Sequence, residues 1–228
     1  DELEVSKPCI DMEDEGYNCE WSQELKLRQS YDEYLNAWIM IHVLKSYLGW
    51  DHSKDLGTIF NMSAGYNLDG ILNKNVQGFL DLMENCSDDL HKKLDQLDGL
   101  FPVHELDIPS RISDNLTLST MHGCPPDEIE KIARYFLEVR HYHTAVKLNP
   151  TLLGPDKLRN ILNNLTGFEH VIVPEEAFEH DLKYDESLIL INNLQKSASR
   201  AGVEFGLKLT NTLEVKNTKA IFPSTENM

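Results

Sequence analysis

The sequence predicts an α/β fold in which parallel strands alternate with helices, as part of a (β/α)8 barrel. Three observations carry this expectation. Helix and strand patterns alternate along the chain with short connections, the signature of right-handed βα units around a parallel sheet. The strands are runs of apolar or small residues, as expected when both faces are buried. Several strands end in polar residues just before a helix start, where the chemistry of such folds collects.

The elements follow in order. Residues 1–21 are irregular and acidic, with Asp11, Glu13, Asp14, Glu15 and Gly16 clustered; from residue 22 the βα units begin, giving one domain over 1–228. Ser22 is placed to cap a long helix with the stripe Tyr31, Tyr34, Leu35, Trp38, Ile41, His42 and Leu48, and Gly49 ends it. A strand is expected over 58–63, then a loop marked by Gly65, Asn67 and Gly70. Residues 76–97 read as one amphipathic helix, and 102–115 as a linker holding Pro102 and Pro109.

The strand expected at 116–119 leads into the best-patterned helix, 126–139. Pro126 suits its first turn, Asp127, Glu128 and Glu130 suit its positive end, and Ile129, Ile132, Ala133, Phe136 and Leu137 form one face. A strand over 143–148 comes next. Gly154-Pro155 opens a short helix that Gly167 stops. A strand over 170–173, a helix over 185–201 ended by Gly202, and a strand over 203–209 complete the series. A closed eight-stranded barrel needs about 250 residues. The chain opens on Asp1 and ends at Glu226-Asn227-Met228, and both ends read as cut, so the sequence predicts an incomplete barrel from a longer protein.

Composition sets bounds. The 228 residues carry 21 basic and 38 acidic side chains, a net charge of −17, which argues against nucleic acid or an anionic membrane as partner. Hydrophobic content of 41% and charged content of 26% are those of an ordinary globular protein. Cys9, Cys19, Cys86 and Cys124 are few and irregularly spaced, so they read as reduced thiols of a cytoplasmic protein. No apolar run approaches the roughly 20 residues of a membrane span.

The strand ends supply the candidate chemistry. His122 and Cys124 sit two residues apart in a Gly/Pro loop before the 126–139 helix. A helix N-terminus lowers a thiol pKa, so Cys124 is a candidate nucleophile or base beside His122; the bland alternative is a small residue packed in a tight loop. Spacing of His122, Cys124, Cys9 and Cys19 matches no zinc pattern, and no metal site is expected. Lys147 and Lys208 each interrupt an apolar strand, costly unless paired, facing a polar cavity or snorkelling to solvent. At a barrel rim each can meet a phosphate or an electron-rich ring, or form a Schiff base. Asn149, Asn211 and Thr212, with Asn61 and Ser63 of the earlier strand, can hydrogen-bond a planar heterocycle at the same rim.

Four motifs together resemble one family: Phe60-Asn61-Met62-Ser63-Ala64-Gly65-Tyr66-Asn67, Ser119-Thr120-Met121-His122-Gly123-Cys124-Pro125-Pro126, Val146-Lys147-Leu148-Asn149-Pro150-Thr151-Leu152-Leu153-Gly154 and Lys208-Leu209-Thr210-Asn211-Thr212-Leu213. They are similar to the selenate reductase subunit family found with selenium-dependent molybdenum hydroxylases, and Lys7-Pro8-Cys9-Ile10-Asp11 and Glu20-Trp21-Ser22 extend the likeness. The resemblance implies a large bacterial oxidoreductase whose early part is a dihydroorotate dehydrogenase-like barrel, with this chain in its middle. It further implies FMN in the intact barrel, and FAD, NAD(P) and iron–sulfur clusters in the remainder; this piece alone would bind none and be inactive. In flavin barrels a strand reading Lys-Leu-Thr-Pro-Asn gives its lysine to the flavin ring. Lys147-Leu148-Asn149-Pro150 and Lys208-Leu209-Thr210-Asn211 are both similar, and the sequence does not choose between them. Cys124-Pro125 lies in the loop that carries the barrel family's catalytic base, displaced by several residues. The alternative function is a cofactor-free barrel that docks a molybdenum hydroxylase. Open sheet edges further imply a homo-oligomer.

Overall fold

The computed structural model describes residues 26–50, 57–65, 67–119 and 124–218. Two compact units divide the chain: residues 1–63 with 69–115, and residues 64–68 with 116–228. The expected cap Ser22 lies outside the described residues.

In the first unit, α1 (Leu27–Leu48) carries the long apolar stripe. Tyr31, Leu35 and Trp38 are buried at the expected spacing and Ile39 joins them, whereas Leu48 at the helix end is exposed. Gly49 ends the helix in the left-handed conformation, φ 62°, and its N–H reaches the Lys45 and Ser46 carbonyls. Trp38 fixes the packing through its indole N–H, which donates to the Pro109 carbonyl at 2.9 Å, and through an edge-on contact with Phe60 at 5.3 Å. A short turn of helix, α2, spans Leu68–Ile71.

The single helix expected over 76–97 is two: α3 (Lys74–Glu84) and α4 (Ser87–Leu97). The break is chemical. Asn85 turns its side chain onto the following backbone, its Oδ1 accepting from Ser87 N–H at 3.1 Å, and Cys86 N–H leaves the helix ladder for the Ser110 carbonyl at 2.8 Å.

The strand expected over 58–63 is displaced. It runs as β1 (Asn61–Ala64), because the Phe60 carbonyl accepts from the Ser113 hydroxyl. Asn61 therefore opens the strand instead of closing it.

In the second unit the carbonyl of Ala64, the last residue of β1, accepts from Ser119 N–H at 2.7 Å, and the described strands form one parallel sheet. The strand order is β1, β2 (Asn115–Leu118), β3 (His143–Leu148) and β4 (Phe205–Leu209), so sequence neighbours are sheet neighbours. Helix α5 (Pro126–Arg134) begins at its proline as expected; over Tyr135–Val139 it widens into a π segment, with Arg140 N–H bonded to the Tyr135 carbonyl. Helix α6 (Pro155–Arg159) widens likewise over Asn160–Leu165. Helix α8 (Tyr184–Ala201) packs on α5 and buries Leu190, Leu194 and Ala198.

The strand expected over 170–173 does not form. Val171–Val173 has no regular secondary structure; the Ile172 carbonyl accepts one bond from Lys216 N–H at 2.8 Å. Pro174 then starts a helix the sequence reading missed, α7 (Glu175–His180). Val173, Ala177 and Phe178 join Leu158 in a small second core. The described sheet thus has four strands where the sequence suggested five.

Candidate functional site

β3 and β4 pair in parallel with Lys147 opposite Lys208 and Leu148 opposite Leu209. Opposed residues in a pleated sheet project to the same face, so the two lysines are neighbours, not rivals for one position. β3 alternates: Thr144, Val146 and Leu148 are buried, whereas His143, Ala145 and Lys147 are half-buried on the lysine face. One level below the lysines, Ala145 stands opposite Gly206, and a Cβ on Gly206 would lie 3.7 Å from that of Ala145. Small residues there keep the surface beneath the two ammonium groups low.

Beyond the lysines, the polar residues join. Asn211 N–H donates to the Leu148 carbonyl at 3.0 Å, which carries the β4 segment one step past the strand and alongside β3. Asn211 Nδ2 then donates to Asn149 Oδ1 at 2.9 Å, and Asn211 Oδ1 accepts from Thr212 N–H at 2.9 Å. Lys147, Asn149, Lys208, Asn211 and Thr212 therefore gather at the carboxyl ends of two adjacent strands. The turn that presents Asn149 is anchored from below. Thr151 Oγ1 donates to the Asp181 carboxylate at 2.6 Å, and both residues are 5% exposed. Sequence reasoning missed this pair, since Asp181 follows the unrecognised α7 and no local pattern links it to Thr151.

Cys124 is half-buried just before α5. Its thiol is pushed up, first by burial and then by Glu128 and Asp127. The expected lowering is thus reversed: the carboxylates that suit the helix dipole hold the thiol protonated. Glu128 also accepts from Leu68 N–H at 3.0 Å, tying the loop after β1 to α5. That loop runs close to β2, and a Cβ on Gly65 would sit 3.2 Å from the Ser119 carbonyl. His122, the proposed companion of Cys124, lies outside the described residues.

Asn61 is exposed and Ser63 is 8% exposed; both belong to the first unit, whereas the lysine–amide cluster belongs to the second. Among the described residues, no group of three or more His, Cys, Asp or Glu side chains could hold a metal ion, and no helix is long and apolar enough to cross a membrane.

Comparison with known proteins bears on the whole chain. Residues 1–228 match the family described as "Oxidoreductase YgfK, N-terminal TIM-barrel domain". Proteins named "Putative oxidoreductase YgfK" from Escherichia coli K12 and O157:H7 are each 44% identical over 247 aligned positions, covering 99% of this chain and 24% of the relative. The chain thus spans about a quarter of the length of these curated relatives. No solved structure matches it significantly. A parallel sheet with helices and a match that runs from end to end agree, and the chain belongs to the family of oxidoreductase YgfK N-terminal TIM-barrel domains.

Proposed function

We propose that this chain is the flavin-holding barrel portion of a larger, selenate reductase-like oxidoreductase. The observation that supports the reading is Lys147 beside Lys208 on one sheet face, with Asn149 bonded to Asn211 at the same strand ends. Two lysines at one level of the sheet and three hydrogen-bonding side chains beyond them suit the cluster to an anionic or electron-rich partner. That donor set fits the pyrimidine edge of FMN. Lys147 and Lys208 would lie against its electron-rich side, and Asn149, Asn211 and Thr212 would orient the ring. When bound, the flavin supplies hydride and single-electron chemistry. The lysines contribute fixed positive charge where negative charge builds up on the ring. Cys124, held protonated, serves as a proton-holding group rather than a thiolate nucleophile, with His122 two positions before it in the sequence.

In this reading the remainder of the longer polypeptide carries FAD, NAD(P) and iron–sulfur clusters, the protein works in the cytoplasm, and its partners are molybdenum hydroxylase subunits. The test is cofactor analysis of the full-length protein, wild type and with Lys147→Ala plus Lys208→Ala. We expect FMN and FAD from the wild type and selective loss of FMN from the double variant. A wild type that yields FAD alone and refuses added FMN overturns the proposal.

One observation favours a second reading, a cofactor-free barrel used for docking. Residues Gly206–Leu209 of β4 are all exposed, and Leu207 and Leu209 present apolar surface at 41% and 69% exposure. Such an edge invites association with a molybdenum hydroxylase subunit or a second copy of the chain. Concentration-dependent sedimentation that Leu209→Lys abolishes would support this reading.

A further inference from the structure

The first unit contains a cavity of about 580 Å³ between the start of α1 and one face of α3, within the size range of small-ligand sites. Its lining is at odds with the rest of the chain. The protein has 38 acidic and 21 basic residues, yet three of the nine lining residues, Lys26, Arg28 and Lys74, are basic and none is acidic. The walls are apolar and partly aromatic: Leu27 and Tyr31 from α1, Phe79 and Leu82 from α3.

Two further features mark the cavity as built. Gly78 sits in the middle of α3, where glycine is unfavourable relative to alanine, and no packing requires it: a Cβ there meets nothing within 4 Å. Its bare backbone keeps the cavity wall open. Tyr31 is 0% exposed, and its buried hydroxyl lies near the Asp89 carboxylate. Burial first, then nearby Asp89, raises its pKa and keeps it neutral. Arg28 lies over the Tyr31 ring at 4.8 Å and is paired with Asp89 at 2.8 Å and Asp32 at 3.8 Å, so its charge is balanced and Lys74 is an exposed cation of the rim.

We infer that this cavity binds an organic anion with a flat apolar body: a basic rim takes the anionic group, and the half-buried Leu27 and Leu82, with the bare Gly78 backbone between them, take the body. The site is separate from the lysine–amide cluster and does not depend on the flavin reading.

The test uses 8-anilinonaphthalene-1-sulfonate and its uncharged analogue N-phenyl-1-naphthylamine, which shares the aromatic body. With the folded chain we expect saturable one-to-one fluorescence enhancement by the sulfonate and about tenfold weaker binding of the uncharged analogue. Lys74→Glu, at an exposed position, should weaken sulfonate binding about three- to tenfold. Gly78→Leu should abolish it with unchanged circular dichroism, and Gly78→Ala should weaken it while raising the denaturation midpoint. Equal affinity for both probes, displacement by inorganic phosphate as effective as by benzoate, or binding untouched by Lys74→Glu overturns the inference. Because Lys74→Glu is a surface change, it decides the matter even if Gly78→Leu fails to fold.

Discussion

The side-chain amide of Asn211 donates to Oδ1 of Asn149 at 2.9 Å, joining the residues that follow β4 and β3 across 62 positions of sequence. A half-buried amide pair of this kind contributes about 1 kcal/mol. Asn211→Ala should lower unfolding free energy by about that amount in a urea titration of the isolated chain, and should reduce FMN retention in the full-length protein. Unchanged stability would mean the pair is idle.

Lys147 and Lys208 make different predictions with and without ligand. In the flavin-free chain, removing the exposed Lys208 side chain should change stability by no more than about 0.5 kcal/mol, as at other surface positions. Lys208→Gln should therefore leave the denaturation midpoint nearly unchanged while weakening FMN binding about three- to tenfold. Loss of stability in the flavin-free chain would show that Lys208 serves packing instead.

Cys124 should be a sluggish thiol. Burial, Glu128 and Asp127 all raise its pKa, so at neutral pH its carbamidomethylation, followed by peptide mass spectrometry, should be slower than that of free cysteine. Glu128→Gln should speed it. Faster alkylation than free cysteine would restore the thiolate nucleophile.

Cys86, 1% exposed at the start of α4, gives a pH signature. Burial pushes its thiol from 9.0 up to about 11. Folded chains then hold the proton more tightly than unfolded ones, so the stabilising contribution is complete below pH 9 and is lost as pH rises toward about 11. Cys86→Ala should be less stable at neutral pH, where a void costs packing, and should show a flatter decline above pH 9. Parallel pH profiles for the two proteins would refute this.

Asp181 and Thr151 should matter for stability although Thr151 lies in a single helical turn, Pro150–Leu153, and Asp181 just after α7. Both are buried and bonded to each other at 2.6 Å. Thr151→Val leaves a buried carboxylate short of a donor and should cost about 1–3 kcal/mol, with Asp181→Ala similar and the double variant less than the sum. Additive losses would mean the two act independently.

Much of the second unit was legible in the sequence because local signals and burial agree. β3 falls where the run His143–Leu148 indicated, Pro126 starts α5, and Gly202 ends α8. What was misread turned on which partner a backbone group finds. Val171–Val173 has strand-forming side chains, yet its described backbone bond to another segment is a single one from Lys216, an isolated bridge residue. The break at Asn85 could have been read from its turn-forming side chain, and α7 from Pro174 followed by Glu175 and Glu176. The site was half legible. Each lysine stood out alone in an apolar strand, but that they are neighbours depends on strand register, and the Thr151–Asp181 anchor depends on how α7 folds back.

The sheet order leaves β4 with β3 as its single described strand neighbour. Half of its main-chain donors and acceptors thus face no other described strand, and among the described residues opening it requires parting one ladder rather than two. Under mild thermal stress the protein should peel from that margin inward, with deuterium entering the amides of Phe205–Leu209 well before those of His143–Leu148. The two lysines would separate at the first step of that peeling, so the proposed flavin grip would fail while most of the polypeptide was still folded.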